Sequence, residues 1–114
     1  MTDCIFCKIA NKQIGALVYE DETVAAFNDL NPQAPVHVLI VPKKHIARIS
    51  DVGDGEDAYL MGHILVVANK IAAERGVAEG GYRVVVNCNA DAGQSVWHVH
   101  FHLLGGRALG WPPG

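Results

Sequence analysis

Three histidines alternate with apolar residues in the segment HVHFHLL, residues 98–104. An extended strand places alternate side chains on opposite faces, so the pattern predicts His98, His100 and His102 on one face and apolar side chains on the other. Successive imidazoles would lie about 6–7 Å apart, because a strand rises roughly 3.3 Å per residue. A lone histidine in a strand is usually packed or solvated, but three at this spacing favour chemistry near neutral pH.

Polar and glycine-containing segments flank the three histidines. Residues 91–95 read DAGQS and precede them, and Gly105-Gly106-Arg107 follows them. Such a loop offers backbone N–H groups and the Ser95 hydroxyl to an anion. Neutral imidazole is a good nucleophile whose phosphoryl adduct is labile, so the segment predicts transfer of a phosphate-containing group. The middle histidine, His100, is the predicted nucleophile, and an adjacent imidazolium is the predicted general acid.

The elements that position the histidines can be read from periodicity and from glycine and proline. The sequence predicts an α+β fold with about five antiparallel strands, one main helix and a short N-terminal helix. The predicted short helix covers 4–13, and a short helical turn covers 43–52. The long helix covers 56–75, with Asp54 as its cap and Gly76 at its end. The predicted strands are 17–20, 23–28, 36–41, 82–87 and the histidine segment, and loops cover 29–35 and 88–96.

The long helix carries two neighbouring apolar stripes, which together are wider than one sheet face needs. Leu60, Ile64, Val67 and Ile71 form the first stripe, and Met61, Leu65, Ala68 and Ala72 form the second. A spare apolar stripe, together with the aromatic Trp111 in a proline-rich tail, favours a homodimer built on this helix and strand 82–87. The alternatives are a fully covered core helix and a disordered tail.

Length and composition limit the remaining possibilities. With 114 residues, a single domain over 1–114 is expected, and a net charge of −3 argues against binding a nucleic-acid polymer. The sequence shows no signal peptide, and the apolar run 64–68 is too short to span a membrane. Three cysteines, an odd number, favour reduced thiols and a cytoplasmic location.

A second group of residues has the composition of a metal site. Cys4-x-x-Cys7 lies near the start of the chain, and His45 and His98 are its possible partners. Two thiolates and two imidazoles make a closed tetrahedral zinc site plausible. The alternatives are two reduced thiols in a short helix and, with less support, a redox pair. Cys88 has no evident role.

The segment GQSVWHVHFHLLGGR resembles the signature of the histidine triad (HIT) superfamily. The GGR after the triad and the tail WPPG resemble its Hint branch, the histidine triad nucleotide-binding proteins. The likeness extends through IFCKI, NPQAP at 31–35 and PKKHI. It implies the HIT fold and a purine nucleoside phosphoramidase that acts on AMP or GMP phosphoramidates without a catalytic cofactor.

The resemblance also assigns roles to residues. His100 would attack the α-phosphorus, while His102 and His37 would contact the phosphate or relay protons, and His98 completes the triad. Asp29 would bind the ribose hydroxyls, although a loop-capping role is an alternative. Trp111 would reach the partner subunit's triad, and zinc would bind Cys4, Cys7, His45 and His98, as in some relatives. The phosphate would be bound by Asn87, Gly93, Gln94 and Ser95, and the purine by Ile5, Phe6, Ile9, Phe27 and Leu30.

Other functions remain open on the sequence. A dinucleoside polyphosphate hydrolase is the second enzymatic interpretation, although GGR and Ser95 favour the Hint branch. A nucleotide-binding interaction protein with incidental turnover belongs to a different class. A metal-dependent oxidase or hydrolase using the histidine pair is a distant fourth, because no P-loop or Mg²⁺-binding carboxylate cluster is visible.

Overall fold

Five antiparallel strands form one sheet, with a long helix on one face and a short helix on the other. The computed structural model describes residues 4–114. In chain order the elements are α1 (Ile5–Ala10), β1 (Tyr19–Glu20), β2 (Val24–Asn28), β3 (Val36–Pro42), α2 (Glu56–Glu74), β4 (Tyr82–Val86) and β5 (Phe101–Gly105), with 3-10 turns at Ile49–Asp51 and Ala90–Ala92. The sheet order is β1-β2-β3-β5-β4, so β1 and β4 are its edges. The predicted α+β class and its five strands are confirmed.

The central strand β3 is buried along its whole length because both of its faces are covered. Val38 and Ile40 pack with Ile64 of α2 in the larger core. Leu39 and Val41 face the other way and pack with residues of α1. Burying such aliphatic side chains contributes about 1.5–3 kcal/mol each, so β3 anchors both layers.

The long helix begins at Glu56 as predicted, but its N-cap differs from the prediction. Asp54 does not cap α2, because Gly55, at a φ of 87°, takes the N-cap position and no side chain caps the helix. At the C-terminal end, Gly76 has a φ of 74°. The N–H of Val77 donates to the carbonyl of Ala72, a pattern typical of a glycine-terminated helix.

The three histidines share a face as predicted, but β5 is shorter than predicted and begins only at Phe101. The register pairs Ile40 with Phe101, which brings Pro42 opposite residue 99. Proline has no N–H to donate, so the strand ladder cannot continue past this position. The N–H of Val99 donates instead to the carbonyl of Ile46. His98 and His100 therefore lie in a turn that leads into the strand.

The sheet covers most of both apolar stripes of α2. Met61, Ala68 and Ala72 of the second stripe are buried, so the prediction of a wholly spare stripe is wrong. Leu65 remains 46% exposed, beside Val66 at 48%. Neither helix within residues 4–114 has the length and apolarity that crossing a lipid bilayer requires.

Candidate active site

A cavity of about 660 Å³ opens between α1, the end of β2 and the histidine segment. It includes nine of the predicted site residues, which are Ile5, Phe6, Ile9, Phe27, Asp29, Leu30, Ser95, His100 and His102. One wall is apolar and the opposite wall carries the imidazoles, which suits a ligand with an apolar ring and an anionic end. The ring centroids of His100 and His102 are 5.1 Å apart, closer than an ideal strand predicts.

The tautomer of His100 follows from its hydrogen bond. Its Nδ1 lies 2.8 Å from the carbonyl oxygen of His98, and a carbonyl can only accept. Nδ1 therefore carries the proton, and Nε2 keeps its lone pair. His100 is 8% exposed, and the Phe6 ring packs edge-on against it at 5.0 Å between centroids. These contacts fix the orientation of a nucleophilic nitrogen beside the cavity.

His102 is oriented by His37, which lies on the neighbouring strand. The backbone N–H of Gln33 donates to His37 Nδ1 at 3.0 Å, so the proton of His37 resides on Nε2. His37 Nε2 lies 2.9 Å from His102 Nδ1 and donates to it. The remaining proton of His102 is therefore on Nε2, which leaves His102 as an N–H donor.

Burial keeps this pair of imidazoles neutral. Desolvation lowers the pKa of His37, and the nearby Asp29 carboxylate opposes that shift. Desolvation, with repulsion from the neighbouring imidazoles of His100 and His37, lowers the pKa of His102 to about 4. His37 and His102 are thus neutral at pH 7 in the free site, and an anionic ligand would favour their protonation.

The carboxylate of Asp29 faces both the loop and the histidines. Its Oδ1 accepts the backbone N–H of Asn31 at 2.7 Å, which is the loop-capping role. Its Oδ2 lies 3.5 Å from His37 Nε2, and the residue borders the cavity. The two interpretations of Asp29 are therefore compatible.

The apolar wall contains residues that the sequence analysis missed. They are Ile14, Gly15, Ala16, Asn28, Leu39 and Val96. Leu39 could have been found, because it alternates with His37 along β3 and must share its face. Phe6 packs edge-on against Phe27 at 5.3 Å, while Ile5 and Leu30 are exposed at the rim.

Six predicted catalytic or substrate-binding residues lie outside the lining of this cavity: His37, His98, Asn87, Gly93, Gln94 and Trp111. The Gln94 side chain bonds to backbone groups of Asn89, Ala47 and Val96, so it holds the loop in shape. Gly93 ends the 3-10 turn at a φ of 86°. Trp111 is 82% exposed in this single chain. Their proposed contacts with substrate stay predictions.

The ring of His98 contacts the thiols of Cys4 and Cys7 and does not line the cavity. Its Nε2 donates to the carbonyl of Pro42 at 2.8 Å, so the lone pair of Nδ1 is free. That nitrogen lies 3.2 Å from Cys4 Sγ and 3.4 Å from Cys7 Sγ. Desolvation lowers the pKa of His98 to about 4, which keeps it neutral, as a metal ligand must be.

The four predicted zinc ligands form one cluster. His45 Nδ1 lies 3.3 Å from Cys7 Sγ, and the ligand atoms of Cys4, Cys7, His45 and His98 all lie within 4.8 Å of one another. Sulfur and nitrogen ligands of a tetrahedral zinc are about 3.5 Å apart, close to the three sulfur–nitrogen distances of 3.2–3.4 Å in this cluster. Desolvation and the neighbouring Cys4 raise the pKa of Cys7 to about 11, and a cation would lower it. The donor set suits zinc.

A second group, Asp29, His37 and His102, is also close enough to hold a metal ion. Here the hydrogen bonds argue against one. His37 Nδ1 accepts the N–H of Gln33, so Nε2 must keep its proton and has no lone pair for a metal. This group suits a hydrogen-bond relay.

A larger cleft of about 1030 Å³ lies between the N-terminal half of α2 and the β1–β2 turn. Its polar groups already bind one another. His63 and Tyr19 both donate to the Asp21 carboxylate, and Lys43 and Lys44 are ion-paired. The one histidine that lines this cleft, His63, is already paired with Asp21, so we assign the chemistry to the histidine cavity.

Comparison with known proteins gives the family of this chain. The family model described as HIT domain matches residues 11–109. The purine nucleoside phosphoramidase of Escherichia coli K12 is 47% identical over 109 residues, covering 95% of this chain and 91% of the relative. The crystal structure of a HIT family hydrolase from Legionella pneumophila superposes with a TM-score of 0.94 at 54% identity, covering 98% of this chain and 100% of that one. A histidine triad protein from Clostridium difficile gives 0.92 at 52% identity, covering 96% of each chain. The chain belongs to the histidine triad (HIT) family.

Proposed function

We propose that this protein hydrolyses the P–N bond of purine nucleoside phosphoramidates, such as those of AMP or GMP, through a nucleotidyl intermediate on His100. The observation that carries the proposal is the hydrogen bond from His100 Nδ1 to the His98 carbonyl, which leaves Nε2 as a nucleophile beside the cavity. The name of the E. coli relative, purine nucleoside phosphoramidase, supports the same activity.

In the first step, His100 Nε2 forms a bond to the α-phosphorus and the P–N bond breaks. The amine leaves with the bond's electron pair and takes a proton, which His102 supplies once the anionic phosphate has favoured its protonated form. A protonated His102 Nδ1 no longer accepts from His37, whose Nε2–H would then turn toward the Asp29 Oδ2 atom 3.5 Å away. His100 keeps its Nδ1 proton, so the intermediate is a cationic phosphoryl-imidazole, which is labile.

In the second step, water attacks the phosphorus and the bond to His100 Nε2 breaks. One proton of the water passes to His102, which restores both imidazoles and releases the nucleoside monophosphate. We assign the Ser95 hydroxyl, which lines the cavity, to the phosphate oxygens, where donors stabilise developing charge. The N–H groups of Gly93 and Gln94 donate to the carbonyls of Ala90 and Asn89, so these two residues would shape the loop that carries Ser95. Asn87 would contact the phosphate from the neighbouring loop.

The nucleoside would occupy the outer part of the cavity. The rings and aliphatic side chains of α1 and β2 would sandwich the purine, and Asp29 would accept from the ribose hydroxyls. The free Oδ2 of Asp29 and the apolar wall formed by Ile5, Phe6 and Phe27 support this arrangement. The residues Ile9 and Leu30 extend the same wall toward the rim.

We also propose a structural zinc ion held by Cys4, Cys7, His45 and His98. Zinc in such a closed site would supply folding free energy and no catalytic chemistry. The free lone pair of His98 Nδ1, aimed at two thiols, supports it.

A two-fold homodimer would cover the remaining exposed apolar surface. Tyr59, Leu65 and Val66 are exposed along α2, and β4 has an open edge. Trp111 would then reach the partner subunit's site and select the leaving group, so deleting 109–114 should shift substrate selectivity more than stability. The three free thiols suit a reducing compartment, and a cytoplasmic location stays a prediction.

One experiment compares substrates directly. Adenosine 5′-phosphoramidate and diadenosine polyphosphate are offered side by side to the purified protein, without added metal. We expect kcat/KM to favour the phosphoramidate by at least ~100-fold, a difference of about 2.7 kcal/mol in transition-state stabilisation. The reverse preference would assign a dinucleoside polyphosphate hydrolase. Tight AMP binding without turnover of either substrate would assign a nucleotide-binding interaction protein.

A further inference from the structure

The helix that carries the two thiols also carries much of the apolar wall of the cavity. Cys4 is the N-cap of α1 and Cys7 lies in its first turn. Ile5, Phe6 and Ile9 of the same six-residue helix line the cavity. The thiols and the wall therefore cannot move independently of each other.

Few contacts hold α1 on the sheet. Helices of this length are not stable alone in water, so tertiary contacts must keep α1 formed. Only Phe6 and Ala10 of the helix are buried, and both belong to the smaller of the two cores. Ile9 packs partly against the same core. The polar contacts that also hold the helix are those of Cys4 and Cys7 with His45 and His98, at 3.2–3.4 Å.

The same cluster also reaches the nucleophile through the backbone. His98 is fully buried, held by Pro42 on one ring nitrogen and facing the thiols with the other. Its carbonyl oxygen accepts the Nδ1 proton of His100. Phe6 of α1 packs against both imidazole rings, at 6.2 Å from His98 and 5.0 Å from His100.

We infer that Cys4, Cys7 and His45 are positioning residues that set the affinity of the nucleotide cavity by holding α1 against His98. The inference rests on the proposed function, because it requires a nucleoside in this cavity. It goes beyond a stabilising zinc site, since it predicts weaker nucleotide binding at temperatures where the protein remains folded. The contacts between the thiols and the imidazoles hold α1 against His98, and a bound metal ion would strengthen that attachment.

The test measures AMP binding by calorimetry, well below the melting temperature. The Cys4→Ser/Cys7→Ser variant is compared with the unmodified protein before and after treatment with a chelator. We expect the dissociation constant for AMP to rise about tenfold in the variant, which is about 1.4 kcal/mol. The kcat on saturating phosphoramidate should change less than threefold, and hydrogen exchange should accelerate at the amides of α1.

Two control variants separate this effect from general loss of stability. Val67→Ala removes buried methyl groups from the α2 core, so it should lower the melting temperature and leave AMP affinity unchanged. Cys88→Ser removes the third thiol, which contacts Ser50 away from α1, and should change neither property.

The outcomes are distinct. If both chelation and substitution weaken AMP binding, the inference is supported and a metal ion holds α1 in place. If only the substitution weakens AMP binding, the inference is supported and the thiol–imidazole contacts hold α1 in place. Unchanged AMP affinity in the double variant, or an equal loss in Val67→Ala, overturns it. If the unmodified protein neither binds AMP nor cleaves the phosphoramidate, the proposed function itself fails, and that result is visible before any variant is made.

Discussion

The Nδ1 atom of His100 lies 2.8 Å from the carbonyl oxygen of His98, which is two residues earlier in the histidine segment. The bond is possible because the chain turns before β5 begins, which brings the carbonyl of residue 98 under the ring of residue 100. In a continuous strand, that carbonyl would bond to a neighbouring strand. Because the pairings of β5 with β3 and with β4 both stop at Phe101, this carbonyl accepts from His100 Nδ1 and leaves Nε2 as the nucleophile.

Substituting His100 should separate binding from chemistry. We expect His100→Ala to lower kcat by at least ~10³-fold, because the variant lacks the nucleophile. The affinity for AMP should change less than about threefold, because the variant keeps the groups that bind the nucleotide. Rapid quench followed by mass spectrometry of the unmodified protein should place the nucleotidyl group on the peptide residue His100. A label on His98 or His102 would show that the assignment is wrong.

The contact between His37 and His102 predicts a second, smaller effect. His37→Phe keeps a ring in the buried position but removes the donor to His102 Nδ1, so His102 can adopt either tautomer. We expect kcat to fall about 10–100-fold with AMP affinity little changed. The ¹⁵N shifts of His102 should report the mixture of tautomers. His37→Gln, which retains an N–H donor, should recover part of the rate, and an unchanged His102 spectrum in His37→Phe would contradict the relay.

Stability should depend on pH through His102. Its pKa is about 4 in the folded protein and near the ordinary 6.5 when unfolded, so the unfolded chain binds more protons between these values. The free energy of unfolding should therefore fall as the pH falls from about 6.5 to 4, by up to about 3 kcal/mol from this group. Urea titrations of the unmodified protein and His102→Asn test this, since the variant should lose less stability over the same interval. Parallel pH profiles for the two proteins would refute the contribution of His102.

Alternation along the chain predicted much of this fold. The apolar positions between the histidines do pack under α2, and His37 does share a face with His102. These successes follow from the two-residue period of a strand, which the sequence displays directly. The CxxC spacing and two distant histidines likewise indicated the four members of the thiol cluster.

The features that the sequence did not predict depend on strand register and on which of several neighbouring residues the backbone uses. The sequence did not predict that β5 begins only at Phe101, because the pairing that brings Pro42 opposite residue 99 is a long-range property. Asp54 was the predicted cap of α2, but the backbone places Gly55 at the N-cap position. Gln33 fixes the tautomer of His37 through its backbone N–H, which no side-chain pattern could indicate.

The second glycine after the triad should not tolerate a side chain. Gly106 has a φ of 94°, and an added Cβ would lie 2.9 Å from Pro35 Cβ. We expect Gly106→Ala to lower the free energy of unfolding by about 1–3 kcal/mol, because both backbone strain and a close contact act there. Gly80→Ala is the matched control, since an added Cβ at that position meets nothing within 4 Å. Equal melting temperatures for the two variants would show that Pro35 and the loop rearrange around the added methyl group without loss of stability.

The exposed stripe of α2 predicts a dimer that one charge should break. Leu65 is 46% exposed and Val66 48%, so a carboxylate at position 65 costs a lone chain little but would be buried without a partner in a two-fold interface. We expect the unmodified protein to be a dimer by light scattering at micromolar concentration and Leu65→Glu to be a folded monomer with an unchanged circular dichroism spectrum. Ala78→Glu adds the same charge at an exposed position in the turn that follows α2 and should remain dimeric. If the Leu65→Glu variant stays dimeric, the interface lies on another surface; if the unmodified protein is already a monomer, the dimer does not form at all.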